Sequence, residues 1–143
     1  FSLGVQYRNR NNIDGGSDEL RFTQQYNYSK RNQAIRFGHR FRLEQRILDN
    51  LTIIRSRYMF ALDFPLNGEK LDINETYLVL AIEALLSNSN NIKPVISNRV
   101  SSIIGWVISE KSKIQLGLEY RLVAININTA HVLFINTSFI YKL

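Results

Sequence analysis

The chain has 143 residues, a net charge of +6 and a hydrophobic fraction of 45%, which is one domain by length, large enough for a core or a single small barrel. It has no cysteine, so disulfides, thiolate metal sites and cysteine nucleophiles are excluded together. No uncharged apolar run approaches the roughly eighteen residues that a transmembrane helix needs.

Alternation begins at once, with Phe1, Leu3, Val5 and Tyr7 on one face and Ser2, Gly4, Gln6 and Arg8 on the other, the two-residue period of a strand. Phe1 stands where Met would, and no charged-then-apolar leader precedes the strand, so the chain is expected to be processed or truncated. Asn9 to Asp18 reads as a loop with Asp-Gly-Gly turn chemistry. A second strand sets Leu20, Phe22, Tyr26 and Tyr28 against Arg21, Thr23, Gln25 and Asn27, and Lys30 to Gln33 reads as a polar turn.

The third strand is the clearest. Ile35, Phe37, Phe41, Leu43 and Ile47 share one face, and Arg36, Arg40, Arg42, Glu44 and Arg46 share the other. A helix would scatter these arginines around its circumference. Past a tight connection at Leu48-Asp49-Asn50, the fourth strand opposes Ile54, Tyr58, Phe60, Leu62 and Phe64 to Arg55, Arg57 and Asp63. Pro65 should stop it, because proline cannot donate to a ladder. Leu66 to Asn74 is a turn segment containing Asn-Gly.

The fifth strand pairs Leu78, Leu80, Ile82, Ala84 and Leu86 against Glu75, Tyr77, Val79, Ala81 and Glu83, although its good helix formers leave an amphipathic helix as the competing reading. Ser87 to Pro94 reads as a polar loop. The sixth strand opposes Val100, Ile104, Trp106 and Ile108 to Arg99, Ser101, Ile103 and Gly105. The seventh opposes Ile114, Leu116, Leu118, Tyr120 and Leu122 to Gln115, Gly117, Glu119 and Arg121. After a connection near Ala124 to Ala130, the eighth opposes Leu133, Ile135, Phe139, Tyr141 and Leu143 to Phe134, Asn136, Ser138 and Lys142.

Consecutive strands of roughly nine to thirteen residues with short polar turns predict an antiparallel meander. Alternation does not say which face is inside, but volume does. Eight strands enclose an interior just wide enough for side chains to fill, and this many Leu, Ile, Phe and Tyr would overfill it. The opposite face offers Gly4, Gly38, Gly105, Gly117 and serines beside the long arginines. The expected fold is therefore an all-β, antiparallel up-and-down transmembrane β-barrel of about eight strands over residues 1–143, apolar towards lipid and polar in its lumen. Its slightly negative mean hydropathy fits, because such barrels hide apolar surface in alternation. Phe1, Tyr7, Tyr28, Phe64, Tyr120, Phe139 and Tyr141 fall towards strand ends, where interfacial aromatic girdles lie.

This orientation relocates the charge. The lumen is expected to hold Arg8, Arg21, Arg36, Arg40, Arg42, Glu44, Arg46, Arg55, Arg57, Asp63, Glu83, Arg99, Glu119 and Arg121, with Glu75 and Lys142 beside them. Buried charges must be paired and hydrogen-bonded, which predicts Arg–Glu and Arg–Tyr networks with trapped water. Charges turned inward are not displayed to a nucleic acid, so no nucleic-acid partner is expected.

Several short motifs carry a resemblance. Arg40-Phe41-Arg42-Leu43-Glu44-Gln45-Arg46, then Arg55-Ser56-Arg57-Tyr58, Phe64-Pro65-Leu66, Glu75, Asn98-Arg99 and Leu116-Gly117-Leu118-Glu119-Tyr120-Arg121 occur in that order. With this order the chain resembles a Bacteroidota outer-membrane β-barrel family catalogued as a domain of unknown function. The resemblance implies a bacterial outer-membrane location and a barrel fold, and it brings no catalytic residues. Family members carry further strands upstream, one with a tryptophan, which implies that this chain starts late or lacks them. Phe139, Tyr141 and Leu143 at alternate terminal positions also resemble the signal by which outer-membrane barrels are recognised for insertion.

Catalytic chemistry is sparse. His39, on the apolar face, and His131, near the start of the eighth strand, are the two histidines, and neither has a serine and a carboxylate in the positions a triad needs. Glu44, Glu83 and Glu119 read as arginine counter-charges rather than as an acid/base pair. No ligand spacing suggests a metal, and no cofactor is expected. The leading expectation is a non-enzymatic barrel in contact with outer-membrane lipid, serving as a structural or accessory subunit of another outer-membrane protein or envelope complex. The alternatives are a narrow anion-favouring pore and an outer-membrane lipid-modifying enzyme.

Overall fold

A computed structural model describes residues 1–9, 18–90 and 92–142; all but the two end residues of the loop expected at Asn9 to Asp18, and the terminal Leu143, lie outside them. Eight strands follow one another: β1 (Ser2–Arg8), β2 (Glu19–Asn32), β3 (Ile35–Leu48), β4 (Leu51–Pro65), β5 (Thr76–Ser89), β6 (Ile92–Val107), β7 (Ser112–Val123) and β8 (Ala130–Tyr141). All lie in one sheet, in the order β1 to β8, and every neighbour pair is antiparallel. Among the described residues there is no helix, so the amphipathic-helix alternative for the fifth segment is overturned and β5 is a strand.

The strands outrun their sequence-read limits. Asn32 still pairs with Ile35, so the turn is Gln33–Ala34 alone, with Gln33 at a φ of 54°. β5 continues to Ser89 and β6 begins at Ile92 with Pro94 inside it, so most of the loop expected at Ser87–Pro94 is ladder. The polar residues there were misleading because strand ends leave the buried region while their backbones stay paired. Pro65 does terminate β4. Glu75 falls before β5, where its carboxylate accepts from the Asp72 amide at 2.9 Å, so it leaves the polar face to which it was assigned. Asn74, at a φ of 66°, donates its amide to the Val107 carbonyl at 2.8 Å and anchors this turn to the end of β6.

The register fixes the faces. Arg40 lies opposite Met59, Met59 opposite Glu83, Glu83 opposite Arg99 and Arg99 opposite Arg121. His39, Phe60, Ile82, Val100 and Tyr120 form the adjoining row on the other face. The sheet curls towards the charged side. Arg40 on β3 reaches across β4 to Glu83 on β5, and a single cavity of about 460 Å³ is lined by residues from the β2–β3 turn through to Lys142. Among the described residues each strand pairs with its sequence neighbours alone, and β1 covers Glu19 to Gln25 of β2.

Burial is inverted relative to a water-soluble domain. Among the described residues the buried apolar side chains are Tyr77, Leu85 and Val107, and they are matched by three buried glutamates, Glu19, Glu44 and Glu83. The large aliphatic and aromatic side chains are outside: Leu3, Val5, Phe41, Ile82, Ile104, Leu116, Leu133 and Ile135 are all more than half exposed.

Gly105 shows how the concave side is filled. It faces Tyr77 in the register, and the phenol lies so close over it that a Cβ there would come within 2.1 Å of the ring. Laid flat in this way, Tyr77 passes over β6 and accepts a hydrogen bond from Gln115 Nε2 on β7 at 2.7 Å. An aromatic covering a strand glycine also restores the packing that the missing side chain forgoes. Replacing Gly105 by Val should cost about 1–3 kcal/mol through overpacking, read as a lower urea midpoint, and Tyr77→Ala in the same chain should restore part of the loss. An unchanged midpoint in Gly105→Val would refute this packing.

Candidate functional site

The charged face is built from alternate residues of β2 to β7, and its geometry is a set of bridges. Glu19 accepts from Arg46 Nε at 2.8 Å and Nη2 at 2.7 Å, and from Arg21 Nε at 2.8 Å. Glu44 accepts from Arg57 Nη2 at 3.2 Å and lies 3.7 Å from Arg42 Nη1. Glu83 meets Arg40 Nη2 at 3.1 Å through one oxygen and Arg99 Nη1 at 3.5 Å through the other. Each of the three glutamates therefore joins two guanidinium groups.

The bridges have a purpose visible in the register. Arg21 lies directly opposite Arg46, and Arg42 directly opposite Arg57. Like charges so placed are destabilising, and in both pairs a buried glutamate spans the two arginines. Glu19 is 1% exposed, well inside the range where a charge must be paired. Around these bridges Arg42 Nε donates to Gln25 at 2.7 Å and Arg55 Nε to Ser87 at 3.0 Å. Arg36 pairs with Asp63, and Arg121 pairs with Glu119 while its guanidinium lies 4.0 Å over the Phe134 ring, a cation–π contact.

Of the sequence-assigned set, Arg21, Arg36, Arg40, Arg42, Glu44, Arg46, Arg55, Arg57, Asp63, Glu83, Arg99, Glu119 and Arg121 all enter these contacts. Arg8 is opposite Glu19 on the exposed strand β1. Glu19 itself was missed, because the second strand was read as starting at Leu20, although its parity with Arg21 carried the signal. Among the described residues tyrosine enters the polar face through a different chain, in which Tyr77 is bonded by Gln115, Gln115 accepts from Ser138 at 2.9 Å and Lys113 lies 5.5 Å over the Tyr77 ring.

Both histidines lie on the apolar face. His39 Nδ1 is 2.9 Å from Tyr58 Oη and its ring is 5.1 Å from that of Phe60; His131 Nδ1 is 2.5 Å from Tyr120 Oη. Each thus satisfies its polar edge with a tyrosine among apolar neighbours. Phe139 and Tyr141 point outward and are exposed.

Fold and site together define an all-β protein of inverted polarity, a single up-and-down antiparallel sheet with an ion-bridged concave face and an apolar outer face. The chain belongs to the DUF2490 family, described as a protein of unknown function, which matches residues 1–130 and so ends where β8 begins. No curated protein and no solved structure gives a significant match.

The bridges and the rim pair should differ in strength. Glu83→Leu strips the part-buried Arg40 and Arg99 of the carboxylate they share and should cost up to about 3 kcal/mol, whereas Arg36→Gln removes a pair whose arginine is 61% exposed and should cost within about 1 kcal/mol. Urea unfolding of both variants checks this, and equal losses would show that the bridges are not what holds the face.

Proposed function

We propose that this chain is a non-enzymatic β-barrel of the bacterial outer membrane, acting as a structural or accessory subunit of a larger envelope assembly. One observation carries the reading: large apolar side chains cover the outside while glutamates are as numerous as apolar residues among the buried side chains described. A sheet in water would lose by this arrangement, since burial of apolar surface is what drives folding there. Against hydrocarbon the same arrangement is favourable, with charges turned to a lumen and apolar residues to lipid.

Strand length supports the reading. β2 to β5 have 14 or 15 residues, about 48 Å at ~3.4 Å per residue. Tilted by roughly 40°, they cover more than the ~30 Å of hydrocarbon. β1 and β8 run antiparallel in chain sense, as the two edges of an eight-stranded barrel must, and β8 exposes residues on both faces. The His39–Tyr58 and His131–Tyr120 pairs keep polar edges occupied on a lipid-facing surface. The accessory role is favoured over a pore by the bridges that link β2 to β6 across the concave side.

Phe41→Arg and Leu118→Arg place a charge on the outer face and should each cost about 2–4 kcal/mol of stability in vesicles if near the midplane, measured by urea-driven folding equilibria; on a face in contact with water the same changes are close to neutral. Mild-detergent pull-down with mass spectrometry tests the assembly, and a monomer with no co-purifying envelope protein counts against it. A gel band that fails to shift on heating would count against the barrel itself.

A further inference from the structure

Four arginine pairs stand directly opposite one another on the charged face: Arg31–Arg36 at the exposed rim, and, further in, Arg21–Arg46, Arg42–Arg57 and Arg99–Arg121, the three considered next. Glu19 spans the first and Glu44 the second. No carboxylate spans the third, since Arg99 turns to Glu83 and Arg121 to Glu119. Around this point the guanidinium groups of Arg40, Arg42, Arg57, Arg99 and Arg121 meet three carboxylates, Glu44, Glu83 and Glu119, and Arg55 is bonded to Ser87 instead. Positive charge is therefore in excess by two among these ion pairs, on a part-buried face where uncompensated charge is unfavourable.

A cavity of about 120 Å³ opens at the same place, lined by Arg40, Arg57, Arg99, Ser101, Glu83 and Glu119 with Met59 and Ala81. Both oxygens of Glu83 are already engaged by arginines and Oε1 of Glu119 by Arg121, so three guanidinium groups face a wall whose carboxylates are largely taken up. Arg57 Nε is buried with no hydrogen-bond partner, alone in this among the described side chains, whereas buried polar atoms are satisfied as a rule. At roughly 30 Å³ per water, the space takes one tetrahedral oxyanion with water beside it.

We propose that this cavity binds a small oxyanion of the phosphate or sulfate class, held by Arg40, Arg57 and Arg99, which supplies on the Arg99 side the counter-charge that no glutamate shares between Arg99 and Arg121. Guanidinium forks match two oxygens of such an anion at once, which a halide does not offer. The proposal rests on the charged face and is independent of the sheet spanning a membrane.

The test is thermal unfolding by circular dichroism in uncharged maltoside micelles, titrated with sodium phosphate or sulfate and, at matched ionic strength, with sodium chloride. Phosphate should raise the midpoint along a saturating curve that chloride does not reproduce. Arg99→Gln should weaken phosphate about tenfold or more, and Arg36→Gln, at the rim outside the cavity, should leave it unchanged. Arg57→Lys keeps the charge but loses the fork, and should weaken phosphate likewise; it carries the test if Arg99→Gln does not fold. Glycerol 3-phosphate distinguishes the source, since tighter binding than inorganic phosphate marks a lipid headgroup and weaker binding a free anion. Equal shifts with chloride, or wild-type phosphate affinity in the folded variants, overturn the proposal. A protein that dissolves folded without detergent would refute the membrane reading and leave this one standing.

Discussion

The structure depends on buried glutamates that each hold two arginines. Cross-strand register sets Arg21 against Arg46 and Arg42 against Arg57, an arrangement that repels at close range. Glu19 and Glu44 turn both repulsions into bridges, and Glu83 does the same between β3 and β6. Burial makes these contacts consequential. A pair in water is worth little, but a carboxylate that is 1% exposed, as Glu19 is, has no solvent to fall back on.

The bridges also explain the curl. Arg40 must pass over β4 to find Glu83, and Tyr77 passes over β6 to meet Gln115, so side chains of strands that do not pair still touch. Gly105 lets the second of these crossings lie close to the sheet. With the charged side thus drawn inward, Phe41, Ile104, Leu116 and their neighbours have nowhere to go but out. The proposed lipid surface and the proposed anion cavity are two consequences of the same polarity.

Much of this was legible beforehand. Strand identity, face assignment and the termination of β4 at Pro65 follow from alternation and from proline's missing donor, which are local properties. Strand ends were less legible: Lys30 to Asn32 and Ser87 to Ser89 are polar in composition yet remain in the ladder, because pairing of the backbone does not depend on side-chain polarity. Glu19 was lost by the same misreading, one residue beyond an apparent strand start. Glu75, with strand-like parity, turned out to serve a loop.

The sequence by itself determined that there are two faces, one of arginine and glutamate and one of Ile, Leu, Phe and Tyr, because a period of two depends on nothing but the order of residues. It determined also that the arginines would need partners. Tertiary structure alone decided which partner each one has, that Glu83 joins β3 to β6, and that Arg57 Nε is left over beside a cavity. Those outcomes depend on the register between strands far apart in the chain. A shift of two residues would preserve every face and change every bridge.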